Sequence, residues 1–168
     1  MDFAAIRGYR STGAIDPNAC STLKNAQSVG FGTETYIFPC VPCGNPGGQI
    51  DAIISGLSGC PYNRIFIDVE PLQWKTIDEN RKFLTTMIDT LVARKGRCDI
   101  YTSISQWSEI VGLDFTYGSK CGLWWASWDN DPSYNAFVPF SGWNQLEMKQ
   151  YTGGGQICGN DLDHDYYS

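Results

Sequence analysis

Short apolar runs rich in β-branched and aromatic residues alternate along the chain with segments of helical hydrophobic spacing. The runs predict six strands, at residues 3–9, 35–38, 64–70, 98–102, 122–128 and 147–151. About three helices are predicted between them, chiefly at 17–30, 49–57 and 76–96. This order is typical of βαβ units and a mostly parallel sheet, so the expected fold class is α/β.

Local motifs fix two of the helix starts. Thr76 and Glu79 have the spacing of a capping box, and Ser103 and Gln106 repeat it. Gly96 follows the apolar periodic segment where a left-handed C-cap is favoured. An open doubly wound sheet and a closed barrel both fit the alternation, and both place functional side chains at the carboxyl ends of the strands.

Charge narrows the range of partners. The 168 residues, about one domain, carry a formal net charge of −6 and no cluster of lysine and arginine. Such a surface repels phosphate backbones, so nucleic acid is not an expected partner. No apolar run approaches the roughly 20 residues of a membrane span, so a membrane is not expected either. A glycan polymer is compatible with this charge, and we expect a monomer.

Seven cysteines are typical of a protein stabilised by disulfides in an oxidising compartment. The odd number predicts one thiol without a partner in this chain. Cys40 and Cys43 have C-x-x-C spacing, but they lie in a loop rich in proline and glycine, which favours disulfide bonding over a redox motif or a zinc site. No cofactor is expected.

The strongest candidate chemistry is the pair Asp68 and Glu70. Side chains at positions i and i+2 of a strand share a face, so both carboxyl groups project together at the carboxyl end of their strand. Neighbouring carboxyls cannot both ionise easily, and paired carboxyls of this kind cleave glycosidic bonds. A solvated strand end or a pair of metal ligands are the alternatives, because an isolated Asp-x-Glu is a weak motif.

Aromatic residues at predicted strand ends support glycan binding, because sugar rings stack on aromatic faces. Five such residues are predicted to surround the carboxyl pair: Tyr9, Tyr36, Tyr101, Trp125 and Tyr151. Trp124 and Trp128 should face away from Trp125 and fill the core. The acidic tail at 160–165 lacks the glycine and terminal glutamate of an EF-hand loop, and its His164 is expected to be solvated.

Taken in order, these segments resemble glycoside hydrolase family 25, the lysozymes of the Chalaropsis type. The resemblance runs from about Phe3 to the C-terminus. It rests on six segments, at residues 3–7, 36–38, 65–70, 99–102, 123–126 and 149–151, and on Asp163 within Leu-Asp-His-Asp-Tyr-Tyr.

The resemblance implies an irregular, flattened α/β barrel and a β-1,4-N-acetylmuramidase that cuts bacterial peptidoglycan with retention of configuration. By position, Glu70 matches the general acid/base, and Asp68 matches the carboxylate that orients the substrate's 2-acetamido group. Asp163 matches the acid of the last strand, and Tyr36 the tyrosine of the third strand. Tyr101 and Trp125 complete the expected substrate-binding set.

One departure from the family concerns the first strand, whose active-centre aspartate has no counterpart here. We therefore expect about 30 further residues ahead of Met1, one strand plus one helix, with a signal peptide and an eighth cysteine. Residues 3–168 would then be an N-terminally incomplete catalytic domain of a secreted or lysosomal protein. A non-catalytic glycan-binding paralogue and a chitin hydrolase are the competing hypotheses.

Overall fold

The computed structural model describes residues 2–157 and 159–167. Its strands are β1 (Phe3–Arg10), β2 (Ala14–Ile15), β3 (Gly32–Ile37), β4 (Ile65–Asp68), β5 (Asp99–Thr102), β6 (Gly122–Ala126), β7 (Met148–Ile157) and β8 (Asn160–Tyr166). Its helices are α1 (Ala19–Ser28), α2 (Pro46–Gly56), α3 (Ile77–Lys95) and α4 (Ile104–Ile110), with a 3₁₀ turn at Tyr117–Lys120.

All eight strands belong to one sheet in the order β2-β1-β3-β4-β5-β6-β7-β8. Neighbours from β1 through β7 are parallel, whereas β2 and β8 join the two ends by antiparallel pairing. The sheet curls into a half-barrel with a concave and a convex face. The predicted α/β class and irregular barrel-like architecture are confirmed.

Local signals placed two helices correctly. The Thr76 hydroxyl accepts from the Glu79 amide, and the Glu79 carboxylate accepts from the Thr76 amide, which starts α3 as predicted. The same exchange between Ser103 and Gln106 starts α4. Gly96 ends α3 with φ of 76°, a left-handed conformation that favours glycine.

The convex face carries the main apolar core, where side chains from alternate strand positions pack against the helices. From the strands come Ile37, Ile65, Ile67, Val69, Ile100, Leu123 and Trp125, and from α3 Leu84, Met87, Ile88 and Leu91. Side chains of strand and helix are fully or almost fully buried here. This layer supplies most of the apolar burial that stabilises the fold.

The concave face holds a smaller aromatic cluster of Phe66, Tyr101, Trp124 and Met148. Below it, at the amino ends of the strands, a buried ionic cluster closes the half-barrel. Arg64 Nε lies 3.1 Å from Glu34 Oε1, and the Arg64 guanidinium also approaches the carboxylates of Asp99 and Glu147. Charged side chains therefore occupy the amino ends of β3, β4 and β5.

The largest difference from the prediction lies at the C-terminus. The segment predicted as a strand at 147–151 continues as the longer β7, and β8 pairs back onto it as a hairpin. The hydrophobic pattern does not predict this hairpin. Its first strand contains glycines 153–155 and its second strand is acidic, so neither shows the alternation of apolar and polar residues expected of a half-buried strand.

Three disulfides form among the described residues: Cys20–Cys60, Cys40–Cys43 and Cys98–Cys121. The prediction that Cys40 and Cys43 are disulfide-bonded is confirmed, and they bond to each other. The seventh cysteine, Cys158, lies outside the described residues. Within residues 2–157 and 159–167, no helix is both long and apolar enough to cross a membrane.

Candidate active site

The carboxyl end of β4 presents both predicted acids to the concave face. Asp68 is the last residue of β4 and is only 5% exposed, while Glu70 follows two residues later and is half-buried. Phe66 precedes them on the same face, and Ile67 and Val69 between them point into the convex core. Both acids line a cavity of about 870 Å³.

Three hydrogen bonds fix the chain where β4 ends. The Val69 amide donates to the Tyr101 carbonyl at 2.9 Å, and the Thr102 hydroxyl donates to the Val69 carbonyl at 2.8 Å. The Trp74 indole then donates to the Glu70 carbonyl at 2.8 Å. The backbone of Glu70 is therefore held in place although it lies beyond the regular strand.

Burial and mutual repulsion make these two carboxyl groups weaker acids than exposed carboxyl groups. Burial raises the pKa of Asp68 well above its usual range, and the charge of Glu70 raises it further. Burial also raises the pKa of Glu70, with a further contribution from Asp163. Asp68 Oδ1 is buried and has no hydrogen-bond partner among the described residues. The pair therefore keeps one proton at pH values where ordinary carboxyls have lost theirs.

An aromatic wall stands beside the acids. Trp124 packs edge-on against Tyr36 and Tyr101, with ring centroids 6.4 and 4.7 Å apart. Burial, with the negative charge of Asp68, raises the pKa of Tyr36 to about 12 and raises that of Tyr101 as well. Both phenols therefore stay neutral and keep their hydroxyl protons.

The β7–β8 hairpin adjoins this wall and supplies three further acids, Asp161, Asp163 and Asp165. Asp165 Oδ1 accepts a 2.7 Å hydrogen bond from the Trp124 indole, and Asp163 Oδ2 accepts one from the Gln150 amide at 3.2 Å. Burial raises the pKa of Asp165 to about 7; the bond from Trp124 opposes this shift and the charge of Asp163 adds to it. Five carboxyl groups therefore line one cavity.

Comparison with known proteins identifies the family. A family model described as "Lysozyme-like protein 1" matches residues 1–151. "Probable GH family 25 lysozyme 2" of Dictyostelium discoideum is 38% identical over 170 residues, covering 99% of this chain and 80% of the relative. The chain belongs to the family 25 lysozymes. It is accordingly a glycoside hydrolase.

Solved structures of lysozymes, one of them titled a family GH25 lysozyme, share the fold. The lysozyme of Aspergillus fumigatus superimposes with a TM-score of 0.80 at 16% identity, covering 99% of this chain and 83% of that one. The bacterial lysozyme of Streptomyces coelicolor gives 0.78 at 21% identity, covering 99% and 81%. At these low sequence identities, the two structures establish a shared fold and nothing more.

The structure of this lysozyme brings most of the predicted site residues into one cavity. Asp68, Glu70, Asp163, Tyr36 and Tyr101 all line it. They come from four strands and the segment just after β4, as expected for side chains at the carboxyl ends of a curled sheet.

The placement of Trp125 in the site is wrong. Its ring is 5% exposed and packs against Phe137 in the convex core, 5.3 Å between centroids. Trp124 and Trp128, expected in the core, line the cavity instead. Trp124 pairs with Tyr101 and Met148, whose side chains face the concave side, so the alternation along β6 directs Trp125 to the helices.

Two other aromatic positions also depart from prediction. Tyr9 is buried in the convex core, and Tyr151 contacts the His164 ring at 6.1 Å without lining the cavity. The sequence reasoning missed Gln150 and Asp165 as cavity residues. Asp165 follows Asp163 at the i+2 spacing that places both on one face of a strand, so recognition of β8 would have found it.

The donor set does not favour a metal. Across residues 2–157 and 159–167, no three His, Cys, Asp or Glu side chains are arranged to hold an ion. The five acids of the cavity come from the end of β4 and from β8. Proton transfer is the chemistry that the raised pKa values of Asp68 and Glu70 favour.

Proposed function

We propose that this lysozyme hydrolyses the β-1,4 bond between N-acetylmuramic acid and N-acetylglucosamine in bacterial peptidoglycan, with retention of configuration. The observation that carries the proposal is the position of Asp68 and Glu70 in an aromatic-lined cavity at the carboxyl end of the sheet. A neutral-to-acidic sugar polymer can stack its rings on the aromatic wall while its bond reaches the acids.

Glu70 is the general acid in this proposal. Burial and the charge of Asp163 raise its pKa, which is the direction a general acid requires. It protonates the glycosidic oxygen as the bond to the anomeric carbon breaks. It then accepts a proton from the water molecule that attacks the intermediate, so the enzyme ends in its starting state.

Asp68 is the anion that assists the substrate. The acetamido oxygen of the substrate attacks the anomeric carbon, while the carboxylate of Asp68 accepts a hydrogen bond from the acetamido N–H and balances the developing charge. The buried Asp68 Oδ1, which has no hydrogen-bond partner among the described residues, can accept that bond. The free pair shares one proton, and the positive charge that develops beside Asp68 favours the state in which Asp68 is ionised and Glu70 holds the proton.

The remaining residues of the cavity bind the glycan. Tyr36 keeps its proton and can donate it to a sugar oxygen. The Tyr101 hydroxyl donates to Gln150, so its oxygen, like the carboxylate of Asp163, can accept from sugar hydroxyls. Trp124 takes the role first assigned to Trp125. The three disulfides favour an oxidising compartment, so we place the protein outside the cell or in a lysosome-like organelle.

Product analysis tests this function. Purified peptidoglycan and chitin are digested separately, and the reducing ends of the products are identified by mass spectrometry. We expect N-acetylmuramic acid at the reducing ends from peptidoglycan, released first as the β-anomer in proton NMR spectra. Faster cleavage of chitin, or first release of the α-anomer, contradicts the proposal. Binding of peptidoglycan without cleavage supports the non-catalytic alternative.

A further inference from the structure

Gln150 is the point where three segments of the cavity wall meet. It lies on β7, and its Oε1 accepts from the Tyr101 hydroxyl and from the Trp128 indole, both at 2.7 Å. Its Nε2 donates to Asp163 Oδ2 at 3.2 Å. One amide, itself only 4% exposed, therefore joins β5, the segment after β6 and β8.

The orientation of the Trp128 ring depends on its hydrogen bond to Gln150 and on one further contact. Its side chain is 65% exposed, yet the ring lies against the backbone of β7 at Gly153. A Cβ at Gly153 would meet two carbon atoms of the Trp128 ring at 2.9 and 3.0 Å, so only glycine permits this approach. An exposed indole is thereby held in one orientation at the rim of the cavity.

The segment that carries Trp128 is fixed from the other face of β7. Lys149 is fully buried, and its Nζ donates to both oxygens of Asp129 at 2.8 and 2.7 Å. It also donates to the carbonyls of Asp131 and Ser133 at 2.9 and 3.0 Å. The loop after β6 is therefore anchored by Lys149, and the Trp128 indole by Gln150 next to it.

We propose that Gln150 is a positioning residue that pre-orients Trp128, Tyr101 and Asp163 as a rigid glycan-binding wall. The inference rests on the proposed function, because it concerns glycan binding in the same cavity. A side chain held in its bound orientation loses less conformational entropy when substrate binds, so the benefit falls on substrate affinity. Among the described residues, the hydrogen bonds of this amide go to Tyr101, Trp128 and Asp163 and not to Asp68 or Glu70.

Two substitutions of Gln150 test the role by steady-state kinetics on soluble peptidoglycan fragments. Gln150→Met keeps the length of the side chain and removes the amide. We expect KM to rise about tenfold, with kcat changed less than about twofold, because uniform binding is lost rather than transition-state binding. An unchanged KM overturns the proposal.

Gln150→Glu adds a signature that loss of packing would not give. A glutamate keeps the acceptor for Tyr101 and Trp128, but when ionised it repels Asp163 instead of donating to it. The increase in KM should therefore grow with pH and shrink in acid, where the protonated carboxyl can donate again. Gln156→Glu is the matched control, since Gln156 donates to Asp161 further along the same hairpin. An equal, pH-dependent effect in the control contradicts the proposal.

A substrate-free measurement separates this inference from the proposed function. The indole N–H resonance of Trp128 is assigned in ¹⁵N–¹H spectra by its absence in Trp128→Phe. We expect it to shift and exchange faster with solvent in Gln150→Met, but not in Gln156→Glu. Unaltered protein that fails to cleave peptidoglycan overturns the function, whereas an unperturbed Trp128 resonance in Gln150→Met overturns the positioning role.

Discussion

Trp124 and Trp125 are neighbours in β6 and are equally buried, yet they belong to different halves of the molecule. Trp125 packs with Phe137 in the convex core. Trp124 contacts two phenols and donates to a carboxylate in the concave cavity. The pleat of one strand thus sends adjacent residues to two environments of different chemistry.

The two faces carry different costs. The convex face buries aliphatic and aromatic side chains, which stabilises the fold roughly in proportion to the area removed from water. The concave face buries carboxyl groups, and one Asp68 oxygen has no partner in the part of the chain that the structure describes, which costs stability. The buried carboxyl groups at the strand ends of the concave face therefore lower the free energy of unfolding. The apolar burial on the convex face offsets this loss.

The largest expected effect is on the concave face. Asp68→Asn should lower kcat about 100- to 1,000-fold, because the amide cannot balance charge on the intermediate. The unfolding free energy should stay unchanged or rise, since a buried carboxyl is replaced by a neutral group of the same shape. Kinetics and urea unfolding at pH 7 measure both. A marked loss of stability with normal kcat would break the comparison.

On the convex face the order of effects reverses. Trp125→Ala should lower the unfolding free energy by about 3–5 kcal/mol, because it leaves a cavity in the apolar core. Activity per folded molecule should stay within about twofold. Urea unfolding measures the stability of the variant. Its rate of peptidoglycan cleavage is measured at urea concentrations and temperatures at which the variant is still folded. Trp124→Phe is the counterpart, and it should impair activity more than stability.

The buried acids of the concave face should also make the stability of the protein depend on pH. The pKa of Asp165 is about 7 in the folded state and near 3.8 when unfolded, so between these values the folded state binds more protons. Stability should therefore fall as pH rises from about 4 to 7, by about 2 kcal/mol from this residue after solvent screening. Asp165→Asn should flatten that part of the curve. A parallel curve in the variant contradicts the account.

The smallest effect concerns how Glu70 is held. Trp74→Phe removes the donor to the Glu70 carbonyl and keeps an aromatic ring beside Phe83. Loss of one such bond, worth about 1 kcal/mol, should lower kcat about threefold to tenfold with little change in KM. A change confined to KM would mean that Trp74 acts on binding instead.

Much of the site could be predicted because its signals are local. The spacing of Asp68 and Glu70 alone places both on one face, and Val69 between them is apolar. The capping boxes at Thr76 and Ser103 are equally local. Each of these features depends on a few adjacent residues and on nothing distant.

The wrong predictions concern two things that the local sequence does not determine: which face of the sheet a side chain points to, and which distant segments it contacts. β6 is buried on both faces, so its apolar run shows no alternation that would tell Trp124 from Trp125. β8 lacks a hydrophobic pattern, and Asp165 was missed with it. The role of Gln150 depends on three segments that meet only in the folded chain.

The most direct test of the central claim compares Glu70→Gln with Glu109→Gln. Glu109 is exposed on α4, away from the cavity, so it controls for the substitution itself. Cleavage of purified peptidoglycan is followed at equal concentrations of folded protein. We predict that Glu70→Gln loses at least about 1,000-fold in rate while Glu109→Gln matches the unaltered protein. A Glu70→Gln variant that cleaves as fast as its control would contradict the assignment of Glu70 as the general acid.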